Sequence, residues 1–448
     1  MPASFSPDFG PAAPIGDDVS GDDRPARFMW LPPGLRPPVP MNLRQERIFL
    51  LVGLAALFAG YDLNIFGLAI PQIQASLHIP ENQVGVTVSY FRLAALVAVA
   101  VCACADLVGR RRLLLITIVG QGLFTLATAF VQTYGEFLAA QIVTRIFGYS
   151  EEMLCFVVIT EEMAAGGRGW ANGTLSAMSS TGTGLASLVF AAVNLLPYGW
   201  RAIYVIGALP LFLVAYLRRR LPETRRFALR SDAMHQQASQ LAAGLQLARR
   251  LASEYPGRLL AILTAVAAFG FAVSPATVLM SKYLQQVQHY SPGQVTALFV
   301  PGGFAGLALS ILTGRLSDRI GRKRVAFAVV ALTGVCFALL YSGIDGWLLP
   351  PLWIVAFFGF FASDALLAGF ALEIVPTAYR ATVSGLRYLV EIGAGAISLA
   401  LEGHFYDRLG THAQAVQVSL LAIPLVLGAI LFLPEPAGKT LEEMSGPA

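Results

Sequence analysis

The side chains with the most chemistry to offer are charges set within long apolar runs. Asp62, Arg92, Arg145, Glu151, Glu152, Asp364, Arg387 and Glu391 all interrupt stretches of Leu, Val, Ala, Phe and Gly. A charge at the centre of a bilayer costs about 2.5 kcal/mol or more, so such residues face a protein interior or a wet cavity, find partners, and mark paths for protons, ions or substrate. A carboxyl group in that setting takes up or releases a proton when its neighbours change, and a guanidinium holds an anion. Asp62 lies about 15 residues, roughly 22 Å, along the first apolar run. Arg92 and Arg145 fall at similar depth, so Asp62 is expected to pair with one of them. Arg387 and Glu391 are four residues apart and share a helix face, and Asp364 is at comparable depth. A packing role, in which each pair neutralises itself and fixes helix contacts, is the alternative for any one pair.

The elements that must position these groups are helices in lipid. The chain has 448 residues, 56% hydrophobic and only 13% charged, with four cysteines, all inside apolar runs. Soluble domains carry about 25% charged residues. Apolar runs occur at about 47–71, 83–105, 113–132, 137–160, 171–195, 201–217, 259–284, 293–313, 325–343, 348–372, 382–404 and 413–433, each near the 20 residues a span needs. The expected fold is therefore an all-α polytopic membrane protein with twelve transmembrane helices in two pseudo-symmetric six-helix bundles. Residues 1–42, rich in Pro, Gly and Asp, read as a disordered tail without a cleavable signal peptide. The bundles are assigned to 43–217 and 259–433, joined by a polar central loop at 218–258 and followed by a tail at 434–448.

Polar punctuation repeats between the halves. Asp106, Gly109 and Arg110 recur as Asp318, Gly321 and Arg322; Glu161 and Arg168 recur as Glu373 and Arg380; Pro222-Glu223 recurs as Pro434-Glu435. The offset is the same each time: 318 − 106 = 373 − 161 = 434 − 222 = 212. A duplicated six-helix unit accounts for that identity. Of the 31 Lys and Arg, 25 fall in the tails, the central stretch and alternate loops; the opposite loops hold only Arg201 and Arg408. Cationic loops stay in the cytoplasm during insertion, which puts both termini there.

At these punctuated positions the chain resembles the major facilitator superfamily, closest to its sugar porter and related proton symporter branches. GRLSDRIGRKR at Gly314 to Arg324 is similar to the loop signature between the second and third helices of a half, and CACADLVGRRR is a degenerate first copy. GYD at Gly60 to Asp62, LPETRRF at Leu221 to Phe227, PEPAGKTLEE at Pro434 to Glu443, VITEEMAAGGRG and ALEIVPTAYRAT extend the likeness over the chain after the tail. The resemblance implies alternating access around a central cavity, a cytoplasmic gating set of Asp106, Gly109, Arg110, Glu161, Arg168, Gly314, Asp318, Arg319, Gly321, Arg322, Glu373 and Arg380, and a proton-coupling pair at Asp62 and Arg145. The seventh helix lacks the paired Gln and the Asn that contact hexose in sugar porters.

These features converge on secondary, proton-coupled transport of a small organic solute, with the intramembrane Arg favouring an organic anion. Sugar symport, proton-driven drug efflux and a non-transporting sensor on the same scaffold are the alternatives. No nucleotide-binding loop, metal pattern or catalytic nucleophile motif is present in the sequence, so neither a cofactor nor a metal nor enzymatic activity is expected. The expected partners are a small-molecule substrate, protons and the lipid bilayer of a bacterial inner membrane, with no nucleic acid and a monomeric state. Topology is directly testable: in Gln237→Cys, an impermeant maleimide should label position 237 only after cells are permeabilised. Ready labelling in intact cells would reverse the assignment.

Overall fold

Hydrocarbon offers no hydrogen bonds, so a chain crossing it satisfies its backbone internally as helices. The computed structural model describes residues 36–37, 39–104, 108–163, 167–219, 246–376 and 379–435, and it is all α. The first half contains α1 (Leu43–Leu77), α2 (Gln83–Ala103), α3 (Arg110–Thr128), α4 (Tyr134–Glu162), α5 (Arg168–Ala191) and α6 (Trp200–Arg218). The second contains α7 (Pro256–Val278) with the short α8 (Met280–Gln286), α9 (Pro292–Ile320), α10 (Arg322–Leu340), α11 (Leu349–Glu373), α12 (Arg380–Leu409), and α13 (His412–Leu420) with α14 (Ile423–Phe432). The pairs α7/α8 and α13/α14 each form one span, Pro256–Gln286 and His412–Phe432. Twelve spans in two bundles of six result.

Helix starts follow local chemistry. Asn42, Thr133 and Ser291 each accept a hydrogen bond from the backbone three residues on, while Gln45, Glu136 and Gln294 reach back, forming capping boxes at α1, α4 and α9. Breaks follow it too. Non-helical Ala69 and Pro71 kink α1, and Pro275 precedes the break between α7 and α8 at Leu279.

The 212-residue offset governs the three-dimensional repeat. Arg110, Arg168 and Trp200 open helices, as do Arg322, Arg380 and His412, and 322 − 110 = 380 − 168 = 412 − 200 = 212. The turns that precede α3 and α10 share a left-handed glycine, Gly109 at φ 95°, ψ 143° and Gly321 at φ 112°, ψ 139°. Each then places a matched ion pair, Arg110 to Glu161 at 3.1 Å and Arg322 to Glu373.

Within the first half α1 packs on α4, α5 and α6; within the second α7 packs on α12 and α14, and α10 on α11. The halves meet through α2 on α12, α5 on α9 and α1 on α8. The α1 and α5 backbones approach closely. A Cβ on Gly182 would overlap the Leu57 carbonyl, and one on Gly60 the Ser179 carbonyl.

Two helix boundaries differ from the sequence expectation. Arg218, read as the start of the polar linker, is instead the last residue of α6 and is 1% exposed. Pro256 and Arg258, read as the linker's end, already belong to α7. The cause is pairing: Arg218 finds an acid inside the bundle, so its charge does not end the buried segment.

The α1–α5 contact gives a stability prediction. Gly182→Val must separate the two helices and should cost at least about 2 kcal/mol, read as a lower midpoint in a thermal unfolding assay of purified protein. An unchanged midpoint would show that the helices do not approach this closely.

Candidate functional site

Asp62 sits mid-way along α1, 1% exposed, with α3 against it. Its carboxylate accepts hydrogen bonds from Gln121 Nε2 at 3.1 Å and Thr125 Oγ1 at 2.9 Å. Both donors are on α3, one turn apart, which is why two neutral side chains can grip one carboxylate. Arg145 of α4, 4% exposed, donates to the Leu63 carbonyl and lies 5.2 Å from the centre of the Phe91 ring. It is an electrostatic neighbour of Asp62 without a direct ion pair. Arg92, the other expected partner, is elsewhere.

Arg92 projects from α2 across to the second half. Tyr149 of α4 and Tyr388 and Glu391 of α12 are its electrostatic neighbours. A Cβ on Gly395 of α12 would come within 2.5 Å of its Nη1, so the guanidinium uses the space that glycine leaves. Arg92 makes no hydrogen bond or ion pair of its own with a described residue. Tyr388, 38% exposed, stands among Tyr149, Glu152, Glu391 and Arg92. Glu152 accepts from Ser179 Oγ of α5 at 3.4 Å. Six polar groups from α2, α4, α5 and α12 therefore converge where the halves face each other.

On the second-half wall, Arg387 Nη1 reaches Asp364 Oδ1 at 2.6 Å and Glu391 Oε2 at 2.8 Å. The side chains are 13%, 38% and 17% exposed respectively, so the triad lines an accessible surface. It ties α11 to α12.

Glu151 goes to a different place from its neighbour Glu152. One residue is 100° of helical rotation, and that turns Glu151 into the core of the first half, 0% exposed. There it pairs with Arg218 of α6 and accepts a hydrogen bond from Thr117 of α3. Arg218 also donates to the Leu51 carbonyl of α1 at 3.3 Å. This cluster binds α1, α3, α4 and α6 together and lies apart from the groups around Tyr388.

Of the expected gating residues, Gly109 and Gly321 form the turns, and Arg110–Glu161 and Arg322–Glu373 form the pairs already described. Glu435 adds to the second set by accepting from the backbone N–H of Arg322 at 2.8 Å and of Lys323 at 3.0 Å. Gly314 lies within α9, Arg319 is exposed at its end, and Arg380 opens α12. Asp106 lies outside the described residues, as do the side chains of Arg168 and Asp318.

Among the described residues, several hydrogen bonds join the halves at the end opposite this basic face. Gln72 meets Gln285 at 2.7 Å, Ser281 donates to the Leu68 carbonyl at 2.8 Å, and Asn82 donates to Asp407 at 3.1 Å. Lys282 reaches Gln74 Oε1 at 2.6 Å and Glu81. Sequence reasoning did not assign Gln121, Thr125, Ser179, Arg218 or this far-end set to a site. Amides and hydroxyls carry no signal in an apolar run, and charges near a helix end read as ordinary loop residues.

Comparison with known proteins agrees with this architecture. The gallate transporter of Pseudomonas putida is 27% identical over 431 residues, covering 88% of this chain and 92% of that protein. The 3-(3-hydroxy-phenyl)propionate transporter of Escherichia coli is 27% identical over 403 residues, covering 87% and 94%. The inward open structure of the xylose transporter XylE from E. coli superposes with a TM-score of 0.69 at 17% identity, covering 89% of this chain and 99% of that one, and so shares the fold. The Major Facilitator Superfamily profile matches residues 52–399, more than half of the chain, so the chain belongs to this superfamily, as a membrane transporter and not an enzyme.

Proposed function

We propose that this transporter takes up a small organic anion, of the aromatic carboxylate class, together with protons by alternating access. One observation carries the reading: Arg92 stands at the meeting of the halves with no hydrogen bond or ion pair to a described residue, beside two tyrosines. An intramembrane cation so placed is matched by a ligand carboxylate, which it can grip with two parallel hydrogen bonds. Tyr149 and Tyr388 offer ring faces to an aromatic body and hydroxyls to its substituents. Relatives named for gallate and 3-(3-hydroxy-phenyl)propionate support the same class. Efflux of a cation is less well served, because Asp364 and Glu391 are both engaged by Arg387.

Asp62 is the proposed proton site. Its two hydrogen bonds both come from donors and so suit the ionised form, while Gln121 Oε1 is buried without a partner among the described residues and can accept once the carboxyl carries a proton. Movement of Arg145 as the bundle rocks would change the charge that Asp62 feels, linking proton binding to conformation. In this reading the basic end, with both termini and the two glycine turns, faces the cytoplasm.

Two variants separate the roles. Arg92→Gln should raise the KM for 3-(3-hydroxyphenyl)propionate or gallate uptake at least about thirtyfold, the scale of losing one partner of a desolvated charge pair. Uptake unaffected by this change would remove the anion reading. Asp62→Asn should abolish accumulation driven by a pH gradient in proteoliposomes while preserving substrate exchange. Uphill accumulation by that variant would place the coupling elsewhere.

A further inference from the structure

At the far end, His412 sits between two carboxylates contributed by opposite halves. Its Nε2 is 2.8 Å from Glu81 Oε2, on the turn joining α1 to α2, and its Nδ1 is 2.6 Å from Glu402 Oε1 on α12. Glu402 is 0% exposed. A neutral imidazole has one N–H, so it can donate to only one of these oxygens and must set a lone pair against the other; the protonated ring donates to both. The Tyr406 ring stacks on His412 at 4.4 Å with 28° between planes, which also favours the cation.

We infer that His412 is a proton-operated latch between the two halves: protonated, it ties Glu81 of the first half to Glu402 of the second, and on losing its proton it loosens that end of the cleft. No part of the proposed substrate site is involved. The neighbouring groups define how much the latch can do. Glu402, Tyr406 and Asp407 come from α12, Lys282 from α8, and Tyr341, which caps the end of α10, is an electrostatic neighbour of Glu402. The only charged residue of α7, which also packs on α13, is Arg258 at the other end of the span. Lys282 holds Glu81 as well, so deprotonation of His412 weakens the tie without removing it.

Glu81 does not titrate in the range where imidazole does. Burial opposes its ionisation, but hydrogen bonds from His412, Lys282 and Gln74 outweigh that and hold its carboxyl at about 2. The sign follows from which state binds the proton: the latched state holds it on His412, so closure is favoured at low pH and is lost as pH rises through the imidazole range. Close packing converts this local bond into closure. A Cβ on Gly85 would overlap the Leu399 carbonyl, and one on Gly403 the Asn82 carbonyl, so α2 and α12 are in backbone contact beside the latch.

Hydrogen–deuterium exchange of the full-length protein, without added substrate, tests this. After correction for the intrinsic pH dependence of exchange, backbone amides at 79–85 and 404–412 should exchange about tenfold faster at pH 8.5 than at pH 5.5, the scale of one charge-assisted hydrogen bond. His412→Gln should remove the pH response, and Lys282→Arg should keep it. Glu81→Gln supplies an independent check, since it also deletes one side of the latch while leaving His412 in place, and it should flatten the response as well. A wild-type protein whose corrected exchange is the same at both pH values, or a response that survives in both His412→Gln and Glu81→Gln, overturns the proposal. Because the readout is conformational, its failure would leave the anion-transport reading standing, and the reverse also holds.

Discussion

A charge withdrawn from water has to be matched inside the protein, and the arrangement of this bundle follows from how each charge is matched. Glu151 is matched by Arg218, and that tie joins four helices of the first half through Thr117 and the Leu51 carbonyl. Arg387 is matched twice, by Asp364 and Glu391, and joins α11 to α12. Such pairs contribute little net stability over an apolar core, but removing one partner leaves the other stranded, so they fix which helices sit together. Asp62 is matched by neutral donors and Arg145 by a carbonyl and a ring. Arg92, at the meeting of the halves, makes no hydrogen bond or ion pair with a described residue and has Glu391 as an electrostatic neighbour.

Duplication built the scaffold, and divergence placed the chemistry on it. Gly109 and Gly321, with the ion pairs that follow them, are retained in both copies because the helix-to-helix turn at the basic end requires the same backbone twice. The membrane interior has not kept its charges in register. Adding 212 to Asp62, Arg145 and Glu151 gives Ser274, Phe357 and Ser363; subtracting it from Glu391 gives Ser179. Glu152 and Asp364 are the acids that remain in register, yet Glu152 meets a serine and Asp364 an arginine. A symmetric fold thus holds an asymmetric site, with a carboxylate gripped by neutral groups in one half and an ion triad in the other.

Among the described residues, the contacts at the two ends of the molecule differ in kind. At the basic end, described ion pairs such as Arg110–Glu161 and Arg322–Glu373 stay within one half. At the far end, Lys282, His412 and Asp407 reach across from the second half to Gln74, Glu81 and Asn82 of the first. In the proposed alternating access, rocking of one bundle on the other would break the second kind and could leave the first intact. The break between α7 and α8 at Leu279 places Lys282 and Ser281 beside α1, so irregular backbone occurs where the halves meet.

The sequence by itself determined the helices, their number, the repeat and the superfamily. Each of these is written in local or evenly spaced signals: 20-residue apolar runs, capping boxes, a glycine beside basic residues, and one offset shared by three markers. It also identified Asp364, Arg387 and Glu391 as neighbours in depth, because spacing along a single helix and loop-to-loop distance are readable from the chain. Only the tertiary structure decided partners. Asp62 faces Gln121 and Thr125 rather than an arginine, Glu151 and Glu152 point to different surroundings, Arg218 is core rather than linker, and His412 bridges carboxylates from both halves. The physical reason is that depth fixes one coordinate of a residue in a membrane, while the rotation of its helix and the identity of the helix facing it are set by packing between segments tens to hundreds of residues apart, which no local pattern encodes.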